Sequence, residues 1–440
     1  MYDELDRILI LPSQKDCEAK IDDLLRKKTP SAGFAGFDDP DARQVLKILG
    51  KVASEGDAAV AYWTEKYDNV KLAPEDFLVS AEAMADAHRR LNDKLLESIR
   101  RAVSNVRKYQ TEIFAASNRK CSGATGIKYT PLKRVGVCVP GAAAPLASSV
   151  IMTAVPAQVA GVEEIVVVSP PRHKGGIDPV ILGVCCELGI DEVYRIGGAQ
   201  AVAALAFGTQ SITNVEKIVG PGSKWVQTAK KMVSQDYVAI DSIAGPSEVL
   251  IVANDVANPA WIAADMLSQA EHASDSTAVV VTDSQKLAEN IIAELKSQVV
   301  QLSRAEDAKK SLLTLGAVVV RQNMAQAIDF ANEFAAEHLQ IQCGPKSGDI
   351  ADKITDAGAI FIGDYCPVAV GDYWAGPSHT LPTEMRAKFS SALTSNDFVK
   401  SISIIEYDRG SLASAAEDII RLAEVEGLDA HARAVDVRFE

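Results

Sequence analysis

Apolar residues recur along this chain with two periods, and the change of period divides it. Residues 41–118 read mostly as helices, because Val45-Leu46-x-x-Leu49 and Leu95-Leu96-x-x-Ile99 repeat every 3.6 residues. The stretch Asp41 to Tyr67 reads as largely amphipathic helix, with Pro40 as its start signal. Before it, residues 1–28 carry Leu and Ile at mixed spacing, and Thr29-Pro30-Ser31-Ala32-Gly33 breaks the pattern. From residue 133 short β-branched runs take over. Val135–Val139, Glu164–Val168, Glu192–Ile196 and Lys217–Val219 form one series, most of them followed by a Gly/Pro turn and a helical stretch. A second series runs through Glu248–Val252, Ala278–Thr282, Ala317–Val320 and Ala359–Ile362. Repeated βαβ units predict parallel sheets with helices on their faces. Ile240–Ser247, with Gly245-Pro246, reads as the crossing between two such lobes. A polar loop region lies near 363–397, and the helical piece Ser411–Val425 stands apart as an arm.

Composition narrows the class. A chain of 440 residues with 48% hydrophobic content is long enough for two or three domains with sizeable cores. A formal net charge of -14 argues against nucleic acid or an anionic membrane as partner. No apolar run reaches the length of a membrane span, and the start Met1-Tyr-Asp-Glu-Leu-Asp-Arg is too charged for a secretory signal. Seven cysteines with scattered spacing and no CxxC suggest neither a disulfide framework nor a zinc knuckle. A reducing cytoplasm is the expected location.

The candidate chemistry is concentrated late in the chain. Of six histidines, His272, His338, His379 and His431 each lie in a polar motif. Histidine titrates near neutral pH and is the commonest metal ligand. Gln269-x-x-His272 puts both side chains on one helix face, where they can converge on a metal; the bland alternative is a polar helix C-terminus. Glu337-His338 joins the helix Met324–Ala336 to the strand Leu339–Ile341, a junction from which a carboxylate and an imidazole can reach a crevice. Its alternative is a capping histidine beside a surface glutamate. Asp372 and His379 share an aromatic, Gly/Pro-punctuated loop, functional or simply a structural Ω-loop. Glu426 and His431 follow the final helix and could equally be a solvated tail. Gly197-Gly198-Ala199-Gln200 and Gly220-Pro221-Gly222-Ser223 join strands to helices, where backbone amides bind anions, but neither is a full GxGxxG.

Read in order, these blocks resemble the histidinol dehydrogenase family over nearly the whole chain. The resemblance rests on Gly197–Thr209, Gly220-Pro-Gly222, Ala244–Leu250, Leu267–His272, Glu337-His-Leu339, Gly371-Asp-Tyr373, His379-x-Leu-Pro382 and Glu426–His431. It implies a homodimeric zinc enzyme that oxidises L-histidinol to L-histidine with two NAD+, closing histidine biosynthesis. Gln269, His272, Asp372 and His431 would hold Zn2+, one per subunit. Glu337 and His338 would be the catalytic pair. Ser247, His379 and Glu426 would contact substrate, and Cys138, Gln200 and Ser223 would lie at the NAD site. The implied fold is α/β, with two incomplete Rossmann-like parallel-sheet lobes, a helical N-terminal region and a C-terminal dimerisation arm that completes the partner's site. On this plan residues 1–30 pack with the C-terminal arm, 31–132 and 240–390 form the first lobe, 133–239 the second, NAD-associated lobe, and 391–440 the arm.

Three positions depart from the family pattern. Cys138 stands where the family has a tyrosine, Ser223 where it has an asparagine, and Ala142 where it has a glycine. All three bear on NAD contacts. The rival readings are a paralogous zinc dehydrogenase acting on another small alcohol, and a non-catalytic relative that binds NAD or metal. The presence of Glu426 and His379 favours histidinol, and the presence of Glu337 and His338 favours catalysis.

Overall fold

The computed structural model describes residues 3–28, 39–120, 124–141, 145–234 and 236–440. The break at Thr29–Gly33 and the Ala142 position lie outside the described residues. Two all-parallel sheets form the framework. The first has six strands in the order Leu9–Ile10, Ala317–Val320, Thr277–Thr282, Glu248–Ala253, His338–Gln342, Ala359–Ile362. The second has five, in the order Glu192–Tyr194, Glu164–Val168, Arg134–Cys138, Lys217–Val219, Ala239–Ile240. The strands lack polar/apolar alternation because helices cover both faces. Val249 packs on one face of the six-stranded sheet and Leu250 on the other, both fully buried. The five-stranded sheet is likewise covered on both faces.

The strands arise where the β-branched runs predict them, within a residue or two. A third sheet was not legible in the pattern. Val399–Ile405 pairs antiparallel with Thr125–Pro131, which pairs in turn with Arg119–Lys120.

Helix assignment to the lobes differs from expectation in two ways. The helices Pro40–Glu55, Asp57–Asp68, Ala81–Arg89 and Asp93–Glu112 pack on the helices that cover the five-stranded sheet, Ala147–Ala160, Pro179–Glu187, Gly198–Phe207 and Lys224–Val233, not with residues 240–390. Val45, Ile48 and Trp63 share one buried cluster with Val166 and Val168 of the sheet, while Ile99 and Val106 share another with Val135 and Val167. Chain order placed these helices with the wrong sheet because their apolar faces match either one. The N-terminal segment, within this chain, belongs to the six-stranded sheet rather than to the arm. Leu9 and Ile10 extend the sheet edge beside Val318 and Val319, and Ile21, Leu24 and Leu25 cover its face. A two-residue strand is too short to show a period.

The amphipathic stretch 41–67 is two helices. Asp39 caps the first, accepting from the Asp41 amide at 3.2 Å, with Pro40 as its first residue. Gly56, at φ 58° and ψ −129°, turns the chain between them. A Cβ at Gly56 would collide with the Gln210 side chain, whose oxygen accepts the Asp57 amide at 2.8 Å. The arm helices, Arg409–Val425 and Asp429–Asp436, pack on each other and stand largely in solvent. They leave Leu422, Val425 and Leu428 exposed. Among the described residues no helix is long and apolar enough to cross a membrane.

Candidate active site

Four separate segments meet where the two lobes face each other. Gln269 is in the last turn of the helix Pro259–Ala270, buried, with Nε2 lacking a partner. His272 follows the helix end, its amide bonded to the Gln269 carbonyl at 3.3 Å and its ring exposed. Glu337 and His338 stand at the start of the strand His338–Gln342. Asp372 sits on the short helix Val368–Tyr373, and His379 on the loop beyond it. That loop is tied to the second lobe by the Ser378 hydroxyl, which donates to the Met152 carbonyl at 2.9 Å. All of these side chains, with Ser247, line one cavity of about 130 Å³. Leu146, Ser148, Ser149 and Pro221 of the second lobe close it.

The cavity has a definite position in each sheet. Open α/β sheets bind ligands at the carboxyl ends of their strands. Pro221 follows the carboxyl end of Lys217–Val219, so the five-stranded sheet obeys that rule. The six-stranded sheet offers its amino ends, at Ser247 and His338, so the crevice is a junction between lobes rather than one lobe's edge.

His338 is buried and oriented. Its Nδ1 lies 2.9 Å from the Glu248 carbonyl and 3.4 Å from Glu337 Oε2. A carbonyl only accepts, so Nδ1 carries a proton, and in the neutral ring Nε2 holds the lone pair. Nε2 is buried and has no partner. Burial alone would lower the imidazole pKa; the adjacent Glu337 carboxylate, then Asp372 and the Glu248 carbonyl, raise it to about 9. His379 moves the other way, because burial outweighs the pull of Asp372.

Behind this pair is a buried ionic cluster that the motif reading missed. Glu248 Oε2 lies 2.9 Å from Lys28 Nζ and accepts the Glu337 amide at 3.3 Å. Its Oε1 accepts the Glu384 amide at 3.0 Å, and its own amide donates to Glu337 Oε2 at 2.7 Å. Lys28 Nζ also donates to the carbonyls of Phe334 and, at 3.1 Å, Ala335. Ala335 is left-handed at φ 47°, a conformation costing a non-glycine residue about 1–2 kcal/mol. The only sequence signal was a lone carboxylate opening an apolar run at Glu248; Lys28 gave none.

A second cavity, of about 240 Å³, opens above the five-stranded sheet. Cys138, Gln200 and Ser223 line it, together with Gly141, Gly197, Gly198 and Pro221. It sits where the strand order reverses around Arg134–Cys138, between the starts of the helices Gly198–Phe207 and Lys224–Val233. Gly220 requires its glycine: φ is +105°, and a Cβ would strike the Cys138 carbonyl. A buried ion pair, Lys230 with Asp241, grips this residue from both sides. Lys230 Nζ donates to the Gly220 carbonyl at 3.0 Å, and Asp241 accepts the Gly220 amide at 2.7 Å. Pro221, the next residue, lines both cavities. Burial pushes the Cys138 thiol up to about 12, so it stays neutral.

Two of the predicted residues are elsewhere. Glu426 and His431 are exposed on the arm and line neither cavity. Among the described residues no group of three or more His, Cys, Asp or Glu side chains is arranged to hold a metal ion. Within one chain the polar cavity thus has an amide, an imidazole and a carboxylate from the predicted metal set, Gln269, His272 and Asp372.

Two parallel-sheet lobes with a polar cavity at their junction and a glycine-flanked cavity beside it define a two-lobed α/β protein. The family model for histidinol dehydrogenase matches residues 38–439. The histidinol dehydrogenase of Oceanobacillus iheyensis is 44% identical over 402 residues, 90% of this chain and 93% of that one. That of Rhodopirellula baltica is 40% identical over 447 residues, 98% of this chain and 96% of that one. The crystal structure of histidinol dehydrogenase from Elizabethkingia anophelis matches with a TM-score of 0.88 at 32% identity, covering 98% of this chain and 97% of that one. An acetylating aldehyde dehydrogenase from Geobacillus thermoglucosidasius matches at TM-score 0.50 and 13% identity, covering 90% of this chain and 99% of that one, a likeness of fold alone. The chain belongs to the histidinol dehydrogenase family, and so to the oxidoreductases.

Proposed function

We propose that the chain oxidises L-histidinol to L-histidine in two successive hydride transfers, each to one NAD+, as the closing reactions of histidine biosynthesis. One observation carries this reading. Seven polar motif residues from four segments line a single cavity that shares Pro221 with the cavity of Cys138, Gln200 and Ser223. A substrate carbon in the first cavity and a nicotinamide reaching from the second would meet at that boundary. Holding the two together makes hydride transfer effectively intramolecular.

The metal implied is zinc. The residues suit it: Gln269, His272 and Asp372 line one cavity and offer an amide oxygen, an imidazole nitrogen and a carboxylate, a mixed N/O donor set. When bound, the ion would supply a positive charge that fixes an amino alcohol and its imidazole in one pose. His431 would be the fourth ligand, carried with Glu426 on the arm of a second subunit. The exposed apolar side chains of that arm, Leu422 and Val425, support a dimer in which it is covered.

The acid–base work falls to Glu337 and His338. Once Nε2 of His338 has lost its proton, it takes the proton of the alcohol as hydride leaves the carbinol carbon for NAD+, giving the aldehyde and NADH. Glu337 then takes a proton from water as the oxygen adds to the aldehyde carbon. His338 releases its first proton to solvent. The adduct, a hydrate short of the proton that Glu337 took, then gives its hydride to a second NAD+ and its hydroxyl proton to His338, leaving the carboxylate. Ser247 and His379 contact the substrate, and the remaining polar groups of the cavity orient it.

Counting NADH per histidinol tests the reading. Two per substrate, abolished by a chelator and restored by zinc, is expected. One per substrate would indicate a simple alcohol dehydrogenase, and none would reduce the site to binding.

A further inference from the structure

We propose that the buried Lys28–Glu248 ion pair positions the Glu337–His338 pair, so that the N-terminal helix Cys17–Lys28 is part of the active-site scaffold. The inference rests on the acid–base reading of Glu337 and His338 above and goes beyond it. Glu248 contacts both side chains through its backbone: its amide holds Glu337 Oε2 at 2.7 Å and its carbonyl holds His338 Nδ1 at 2.9 Å. Its side chain holds the backbone instead. The two carboxylate oxygens take the amides of Glu337 and Glu384. Glu384 is itself left-handed, at φ 53°, directly after the loop that carries His379.

Lys28 partners that carboxylate and holds the turn above it. Its ammonium reaches Glu248, lies 3.7 Å from the Phe334 ring centre, and donates to two carbonyls at the end of the helix Met324–Phe334. That turn, with left-handed Ala335, leads directly into Glu337. A buried carboxylate without its cation carries a large desolvation cost, so removing either partner alone disturbs the cluster. Neither residue lines the cavity, so both act through others.

The test uses the zinc-loaded full chain and three variants, Lys28→Met, Glu248→Gln and the double substitution. Lys28→Met strands a buried carboxylate and can fail to fold; the double variant is neutral and nearly isosteric. In the double variant kcat for both hydride steps should fall ten- to a hundredfold, with KM for histidinol within threefold. Independently of turnover, amide exchange should quicken at least tenfold in peptides containing Glu337 and Glu384, and stay unchanged in Thr277–Thr282. Glu248→Gln in turn strands the buried Lys28 ammonium and should lose at least as much kcat as the double variant. A double variant with kcat within twofold of wild type, or with unchanged exchange at Glu337, overturns the proposal. If wild type itself makes no NADH from histidinol, the catalytic reading fails and the exchange data alone decide whether the pair holds the turn.

Discussion

Replacing Glu337 by Gln separates the two halves of the proposed reaction. The structure indicates why the substitution is clean. Glu337 Oε2 accepts the Glu248 amide at 2.7 Å, a bond that an amide oxygen can keep. What is removed is the charge 3.4 Å from His338 Nδ1 and the capacity to take a proton from water. A positioned base contributes roughly 10²–10⁴-fold. Oxidation of supplied histidinal should therefore slow by that factor, about 3–5 kcal/mol of barrier at about 1.4 kcal/mol per decade. The first hydride transfer does not use water, so a single turnover from histidinol should slow by less than about tenfold, a small fraction of that loss. Stopped-flow NADH formation, started once from histidinol and once from histidinal, measures both. Equal rates from histidinal in wild type and variant would remove Glu337 from water activation. Equal losses in the two half-reactions would mean that it acts only by setting His338.

Other expectations follow from the same geometry. His338→Asn removes the one base shared by both steps, so both should fall roughly 10²–10⁴-fold; a variant that retains either step at wild-type rate contradicts its role. A chain truncated after Val425 should lose zinc by metal analysis, because His431 leaves with it; full occupancy would exclude a ligand from the arm. Arg134 pairs with Glu164 at 2.5 Å and with Glu192 at 2.6 and 2.7 Å across three neighbouring strands. Arg134, against the opposing effect of burial, holds the Glu192 carboxyl below its ordinary 4.5. Its stabilisation is therefore present above about pH 4.5 and lost as pH falls through the lowered value. Glu192→Gln should cost no more than about 1 kcal/mol near neutrality, the pair being partly exposed, and less in acid. Thermal melts of both proteins from pH 3 to 7 check this, and a gap that does not narrow in acid refutes it. The Cys138 thiol, buried and pushed up to about 12, should resist iodoacetamide in the native protein while the half-buried thiols of Cys186 and Cys366 react first; rapid labelling at Cys138 in mass spectra would contradict that burial.

The period of apolar residues, read alone, located the parallel strands within a residue or two and the sharp helix start at Pro40. Those signals are local: a β-branched run buried on both faces, or a proline after a capping aspartate, behaves the same in any surroundings. The motifs likewise marked Gln269, His272, Glu337, His338, Asp372 and His379 before anything joined them. Only the folded chain decided that these residues line one cavity, that the site uses the amino ends of one sheet and the carboxyl ends of the other, and that the helices of 39–112 serve the second lobe. It also decided that Lys28 ends beneath Glu248, on the far side of 219 intervening residues. Pairing between distant segments depends on which apolar faces and charges meet when water is expelled, and a one-dimensional pattern carries the faces but not their partners.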